Sequence, residues 1–206
     1  MRLGVFGGTF DPPHVGHLVV AQDACWALSL DRVLWVLAAE PPHKLARALS
    51  PAAVRLEMLR AALEGDDRFQ ACDVELRRPG PSYTVDTLRE LRAEHPGAEL
   101  FLLMGADQAR ELPGWRAPDE IARLATIVAL SRAGEGPAAS GRDAPVRSLP
   151  VTRLDISATE IRGRVAQGRP IRYLVRPAVE AIIRREALYR AADAALSAAG
   201  TGDRPA

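Results

Sequence analysis

The chain has 206 residues, is 48% hydrophobic and 26% charged, and carries a formal net charge of +1. That is the composition of an ordinary globular protein with enough length to bury a substantial core. So small a charge gives no support to a general nucleic-acid or membrane-surface binder, and any anion site has to be local. No apolar run reaches transmembrane length, and the chain opens on a predicted strand rather than a signal peptide, so the expected compartment is the cytoplasm.

In chain order, "RLGVF" reads as a short buried strand that "GGTFDPP" ends, since proline lacks a donor and glycine favours irregular backbone. A helix starts near His14. "RVLWVLA" (32–38) reads as a second strand, 39–49 as a loop, and "SPAAVRLEMLRAALEG" as a helix capped by Ser50, with Pro51 in its first turn and Gly65 at its end. "FQACDVEL" (69–76) alternates like a strand, and "SYTVDTLRELRAEHPG" reads as a helix entered through Ser82. "ELFLLMG" (99–105) is a strand, two short helices break around Pro113 and Gly114, and "TIVALSR" (126–132) is a strand again. The Gly/Ala/Pro-rich stretch 133–146 reads as a surface loop and "VTRLD" as a short extended piece. "ISATEIRGRVAQG" offers Ser157 and Glu160 in capping-box spacing, and "RPAVEAIIRREALYR" forms a final amphipathic helix with Val179, Ile182, Ile183 and Ala187 on one stripe.

Strands alternating with helices predict an α/β fold, Rossmann-like and doubly wound, with a mostly parallel sheet and helices on both faces. Residues 1–190 read as one domain and 191–206 as a frayed tail. Cys25 and Cys72 fall in a predicted helix and a predicted strand, so both read as small core residues rather than a disulfide or metal site.

Three stretches offer chemistry, each at the end of an αβ unit. The first is "GGTFDPPHVGH", where Gly7 and Gly8 let backbone approach a ligand, Thr9 adds a hydroxyl, and His14 and His17 lie one helical turn apart across Gly16. A strand-to-helix corner presents amides and the positive end of a helix dipole, which suits an anion. Taken alone the pair reads better as a Gly/Pro turn with two half-exposed histidines, and no third or fourth residue has zinc-ligand spacing. The second is "PPHK", ending in His43 and Lys44, which alone reads as a solvated loop. The third is "ISATEIR", with hydroxyls at Ser157 and Thr159 on a helix N-terminus and Arg162 one turn on, a phosphate cradle or merely a capped helix. A P-loop is absent, and "GVFGG" fails the dinucleotide-binding spacing.

"GGTFDPPHVGH" together with "ISATEIR" resembles the nucleotidyltransferase superfamily. The order of "PPHK", "SYTVDTL", "LLMGAD", "LPGWRAPDEI", "LSRAG" and "YLV" narrows the resemblance to bacterial nicotinate-nucleotide adenylyltransferases. "YLVRP" departs from the family, which usually runs straight to proline. The resemblance implies transfer of AMP from ATP to the 5′-phosphate of nicotinate mononucleotide, giving deamido-NAD and pyrophosphate. It implies His14, His17, Lys44 and Arg162 as catalytic residues and Gly7, Gly8, Thr9, Phe10, Gly16, Gly105, Asp107, Ser157 and Thr159 around ATP. Thr84, Trp115 and Arg132 would contact the nicotinate nucleotide. Mg²⁺ would be held through the ATP phosphates rather than by a protein cage. A phosphate monoester is already largely dianionic at neutral pH, so the chemistry calls for donors and cations, not a base. Two rivals remain: a sister adenylyl- or cytidylyltransferase such as a phosphopantetheine adenylyltransferase, and a non-enzymatic nucleotide-binding regulator. Neither nucleic acid nor membrane is an expected partner, and homo-oligomer formation is left open.

Overall fold

The computed structural model describes residues 1–39, 49–131, 146–152 and 154–190. Six strands form one parallel sheet: β1 (Arg2–Gly8), β2 (Arg32–Leu37), β3 (Phe69–Cys72), β4 (Glu99–Gly105), β5 (Thr126–Ser131) and β6 (Val146–Pro150), in the order β3-β2-β1-β4-β5-β6. β1 pairs with β2 through Gly8↔Leu37 and with β4 through Phe6↔Leu103, so it sits centrally. The chain runs outward from β1 to β3, then returns to the other side of β1 to lay down β4. Between the carboxyl ends of β1 and β4 the strand order reverses, and such a switch point opens a crevice.

Both faces of the sheet are covered, which is why the strands read as unbroken apolar runs. On one face α3 (Thr84–Glu94), α4 (Ala106–Glu111) and α5 (Pro118–Leu124) pack Val85, Leu88, Leu91, Ala109 and Ile121 against Val5, Leu102 and Met104. On the other, α1 (Val15–Ala27) and α2 (Ala52–Leu63) pack Ala21, Ala24, Cys25, Leu59 and Leu63 against Phe6, Trp35 and Phe101. The back of α2 is apolar too: Met58 and Ala62 receive α6 (Ala158–Ala166) and α7 (Pro177–Arg185) through Ile161, Val179, Ile182 and Ile183. The C-terminal helices are thereby attached to α2 rather than to the sheet, and α6 reaches the opening corner. Among the described residues no helix is long and apolar enough to cross a membrane.

Several local expectations change. The strand expected over 69–76 ends at Cys72, because Val74 and Glu75 are both buried in a 3-10 turn, which an alternating strand does not permit. A sixth strand lies at Val146–Pro150, between the loop expected over 133–146 and the extended piece "VTRLD"; only one of its residues, Leu149, is buried, so its pattern is faint. The final helix stops at Arg185: Ala187 and Tyr189 both take positive φ, so Ala187 leaves the stripe. Ser50 and Ser82 do not cap their helices, whose N-caps are Pro51 and Tyr83. Ser157 does cap α6, its Oγ accepting the Glu160 N–H at 3.1 Å, but the Glu160 carboxylate turns to Arg164. Cys25 and Cys72 are both free thiols.

Candidate active site

The opening corner is a built structure rather than a loose loop. After Gly8 the chain turns at Phe10, which holds φ at +44° while its ring is buried against Phe6, Trp35 and His17. A Cβ on Gly8 would come within 2.8 Å of that ring, so glycine is required there by Phe10. At Gly7 a Cβ would meet nothing, and Gly7 is open to the crevice. Phe10 itself is thus a structural ring.

His14 is the N-cap of α1 and is buried; its imidazole stacks on that of His17 with centroids 3.6 Å apart. The His14 N–H donates to Nδ1 of His17 at 3.2 Å. With Nδ1 an acceptor, a neutral His17 carries its proton on Nε2 and presents that nitrogen as a donor. Nδ1 of His14 is buried without a partner, and burial pushes its pKa down to about 4, so this ring is neutral near pH 7. Gly16 serves the histidine: a Cβ there would lie 3.1 Å from His14 Nδ1. The expected outward-facing amides of α1 are partly spoken for, since the Val15 N–H donates to Leu174 O of the "YLV" segment at 2.9 Å.

Arg162 on α6 joins the late motif to this corner. Its Nη1 donates to the Asp11 carbonyl at 2.8 Å, across 151 residues of sequence, and its Nη2 donates to Thr159 Oγ1 at 2.8 Å. The hydroxyl oxygens of Ser157 and Thr159 are therefore occupied as acceptors, while each O–H proton is still to be given.

Beside the corner lies a cleft of about 940 Å³ at the switch point. That is the size of a small-molecule site. Gly7 and Gly8 at the end of β1 line it together with Thr9, Thr84, Asp107 and Trp115. Thr84 is the first residue of α3, and Trp115 ends the 3-10 turn Leu112–Gly114. Nε1 of Trp115 and Oγ of Ser82, both on residues lining the cleft, are buried without partners. The Asp107 carboxylate is 87% exposed and paired with Arg110. Gly105 N-caps α4. His14, His17, Ser157, Thr159 and Arg162 gather around the corner rather than in the cleft walls, and Gly7 to Thr9 join the two zones. Lys44 and Arg132 lie outside the described residues. Among the described residues no group of three or more His, Cys, Asp or Glu could hold a metal ion.

Sequence reasoning missed what supports the corner. Arg55, 2% exposed, donates to the carbonyls of Thr9, Ala38, Ala39 and Ser50. Asp11, 1% exposed, accepts the Tyr189 hydroxyl at 2.5 Å and the Ser50 N–H at 3.4 Å. One signal was readable: Arg55 sits at helical spacing with Met58, Leu59 and Ala62, a lone charge on an apolar stripe.

Residues 5–164 match the family model described as cytidylyltransferase-like. A protein of Shouchella clausii is 48% identical over 189 residues, covering 91% of this chain and 96% of its own length. One of Thermus thermophilus is 48% identical over 194 residues, covering 92% and 100%. Both bear the name "Probable nicotinate-nucleotide adenylyltransferase". The chain belongs to the cytidylyltransferase-like family, in its nicotinate-nucleotide adenylyltransferase branch. The fold agrees. A Plasmodium falciparum nicotinic acid mononucleotide adenylyltransferase complexed with NaAD superposes with a TM-score of 0.74 at 17% identity, covering 91% of this chain and 97% of that one. The Rossmann-like, doubly wound parallel sheet expected from the alternation of elements is therefore the fold of this family.

Proposed function

We propose that this enzyme transfers AMP from ATP to the 5′-phosphate of nicotinate mononucleotide, forming deamido-NAD and pyrophosphate. An oxygen of the acceptor phosphate attacks Pα of ATP, the bond from Pα to the bridging oxygen breaks, and pyrophosphate leaves with the electron pair. The observation that carries the reading is the contact of Arg162 with the Asp11 carbonyl, which joins two distant motifs at one corner. Gly7 leaves the space phosphates need. The Nε2 donor of His17 and the hydroxyls of Ser157 and Thr159 suit charge growing on the α-phosphate and the leaving group. Arg162 and Lys44 would face the departing pyrophosphate, Asp107 and the Gly105 backbone the nucleoside. Thr84 and Trp115 suit the pyridine end of the acceptor, with Arg132 as a further contact.

A divalent cation such as Mg²⁺ neutralises phosphate charge when bound. Its ligands would be the ATP phosphates and water. Two unpaired thiols are in keeping with a reducing, cytoplasmic setting. The test is pyrophosphate release with ATP and four acceptors: nicotinate mononucleotide, nicotinamide mononucleotide, phosphopantetheine and glycerol phosphate. Nicotinate mononucleotide should give the highest kcat/KM. Preference for any of the others, or no release with all four, overturns the assignment.

A further inference from the structure

We propose that Arg116 is the specificity-determining cation of the cleft, selecting an acceptor whose flat ring bears a carboxylate over one bearing an amide. The proposal rests on the function given above and names a residue for it.

The cleft walls are acidic, with Glu75, Asp107 and Glu111 on them, yet the acceptor is an anion at both ends. Among the described residues lining the cleft, Arg116 is the one cation. Two of the acids are already engaged: Glu75 accepts the Thr87 hydroxyl at 2.7 Å, and Asp107 pairs with Arg110. The charge of Arg116 is not quenched in the same way. Its ion-pair partner is Asp86 at 3.9 Å, and Asp86 is claimed more closely by Arg89 at 2.8 Å. What fixes the guanidinium is the face of Tyr83, 4.6 Å from the ring centroid.

The backbone puts this charge beside the aromatic wall. The Trp115 N–H donates to Leu112 O at 3.0 Å, and Ala117, at φ +53°, gives its carbonyl to Glu120 and Ile121 at the start of α5. Residues 115 and 116 are thus a short bridge held at both ends, and both residues line the cleft. Trp115 offers a ring face and its neighbour a planar five-donor cation, a pairing that matches an aromatic carboxylate. An amide can accept a hydrogen bond from the same fork but brings no charge to meet it. With its side chain 59% exposed, Arg116 acts through solvent screening, so the expected effect is about tenfold rather than a hundredfold.

The experiment compares wild type, Arg116→Met and Arg116→Lys, measuring kcat/KM with nicotinate and nicotinamide mononucleotides at saturating ATP, and KM for ATP. Methionine keeps an apolar stem on Tyr83 without the charge. It should lower kcat/KM for the nicotinate acceptor about tenfold, mainly through KM, and leave the amide acceptor and ATP unchanged. Lysine should restore most of the preference. An unchanged acceptor ratio in Arg116→Met, or an equal loss with both acceptors, overturns the proposal by leaving Arg116 only a packing role on Tyr83. A wild-type enzyme that does not use nicotinate mononucleotide overturns the functional reading itself, and this proposal with it.

Discussion

Replacing Arg162 separates a phosphate-handling guanidinium from a helix-surface arginine. Arg162→Ala removes the donors to the Asp11 carbonyl and to Thr159 Oγ1, both at 2.8 Å. Asp11 is 1% exposed, so its carbonyl loses a charge-assisted hydrogen bond in a buried place. That costs about 1–3 kcal/mol of stability. In a chain of this length, melting should fall by roughly 2–10 °C. The loss in catalysis should be larger in free energy. Removing one transition-state donor typically costs about 2–4 kcal/mol, a drop in kcat/KM of roughly 30- to 1,000-fold. Arg162→Lys keeps the charge but has one ammonium where the native fork spans two acceptors, so it should recover stability better than rate. The assay is pyrophosphate release with ATP and nicotinate mononucleotide, with thermal melting alongside. Turnover within about threefold of wild type in a folded Arg162→Ala would refute the reasoning.

Three further expectations concern the corner. His17→Ala should lower kcat more than it raises KM for ATP, because its contact strengthens as charge builds; a change confined to KM would remove His17 from the chemistry. His14 should tie stability to acid: its imidazole takes a proton near pH 6.5 in the unfolded chain but only near about 4 in the fold, so the unfolded state holds the extra proton between these values. Stability from this group is complete above about pH 6.5 and falls as pH drops toward about 4, by about 3 kcal/mol; urea melts of wild type and His14→Asn across that range should diverge, and parallel curves would contradict the burial argument. Gly16→Ala should cost about 1–3 kcal/mol and depress turnover, since its Cβ would press on the His14 ring, while Gly7→Ala should melt like wild type and act on KM alone. Equal melting of the two glycine variants would show the corner to be softer than described.

What was legible in the chain follows the range of the forces involved. The buried strands β1, β2, β4 and β5 announce themselves because burial on both faces leaves uninterrupted apolar runs. The helix stop at Gly65 is local too, the glycine taking positive φ. β6 was missed because one exposed edge strand leaves little pattern, and the end of β3 because Val74 and Glu75 are buried by α3 and not by strand pairing. The corner was recognisable from its motif, but its support was not. Asp11 read as one residue of a turn, and its partners Tyr189 and Arg162 come from sequence positions 178 and 151 residues away. The room that Gly16 gives the His14 ring is likewise visible only in three dimensions.

The stacking of the two imidazoles bears on how the proposed reaction is divided between them. Rings 3.6 Å apart cannot both be cations without strong repulsion, so one must remain neutral. Burial selects His14: its Nδ1 has no partner and its pKa sits near about 4. His17 is only half-buried and has its Nδ1 turned to the His14 N–H, which fixes Nε2 as the nitrogen that bears a proton. His14 thereby acts as a rigid neutral platform that orients its neighbour through both backbone and ring. The same division runs beneath it, where Arg55 and Asp11 are buried and spend their hydrogen bonds on backbone and on Tyr189. Arg162 spans from that buried layer to the motif on α6. A reaction whose nucleophile arrives already ionised asks for donors held in place before charge develops. A corner whose charged groups are locked from below, with one histidine kept neutral so that the other can donate, meets that demand without a base.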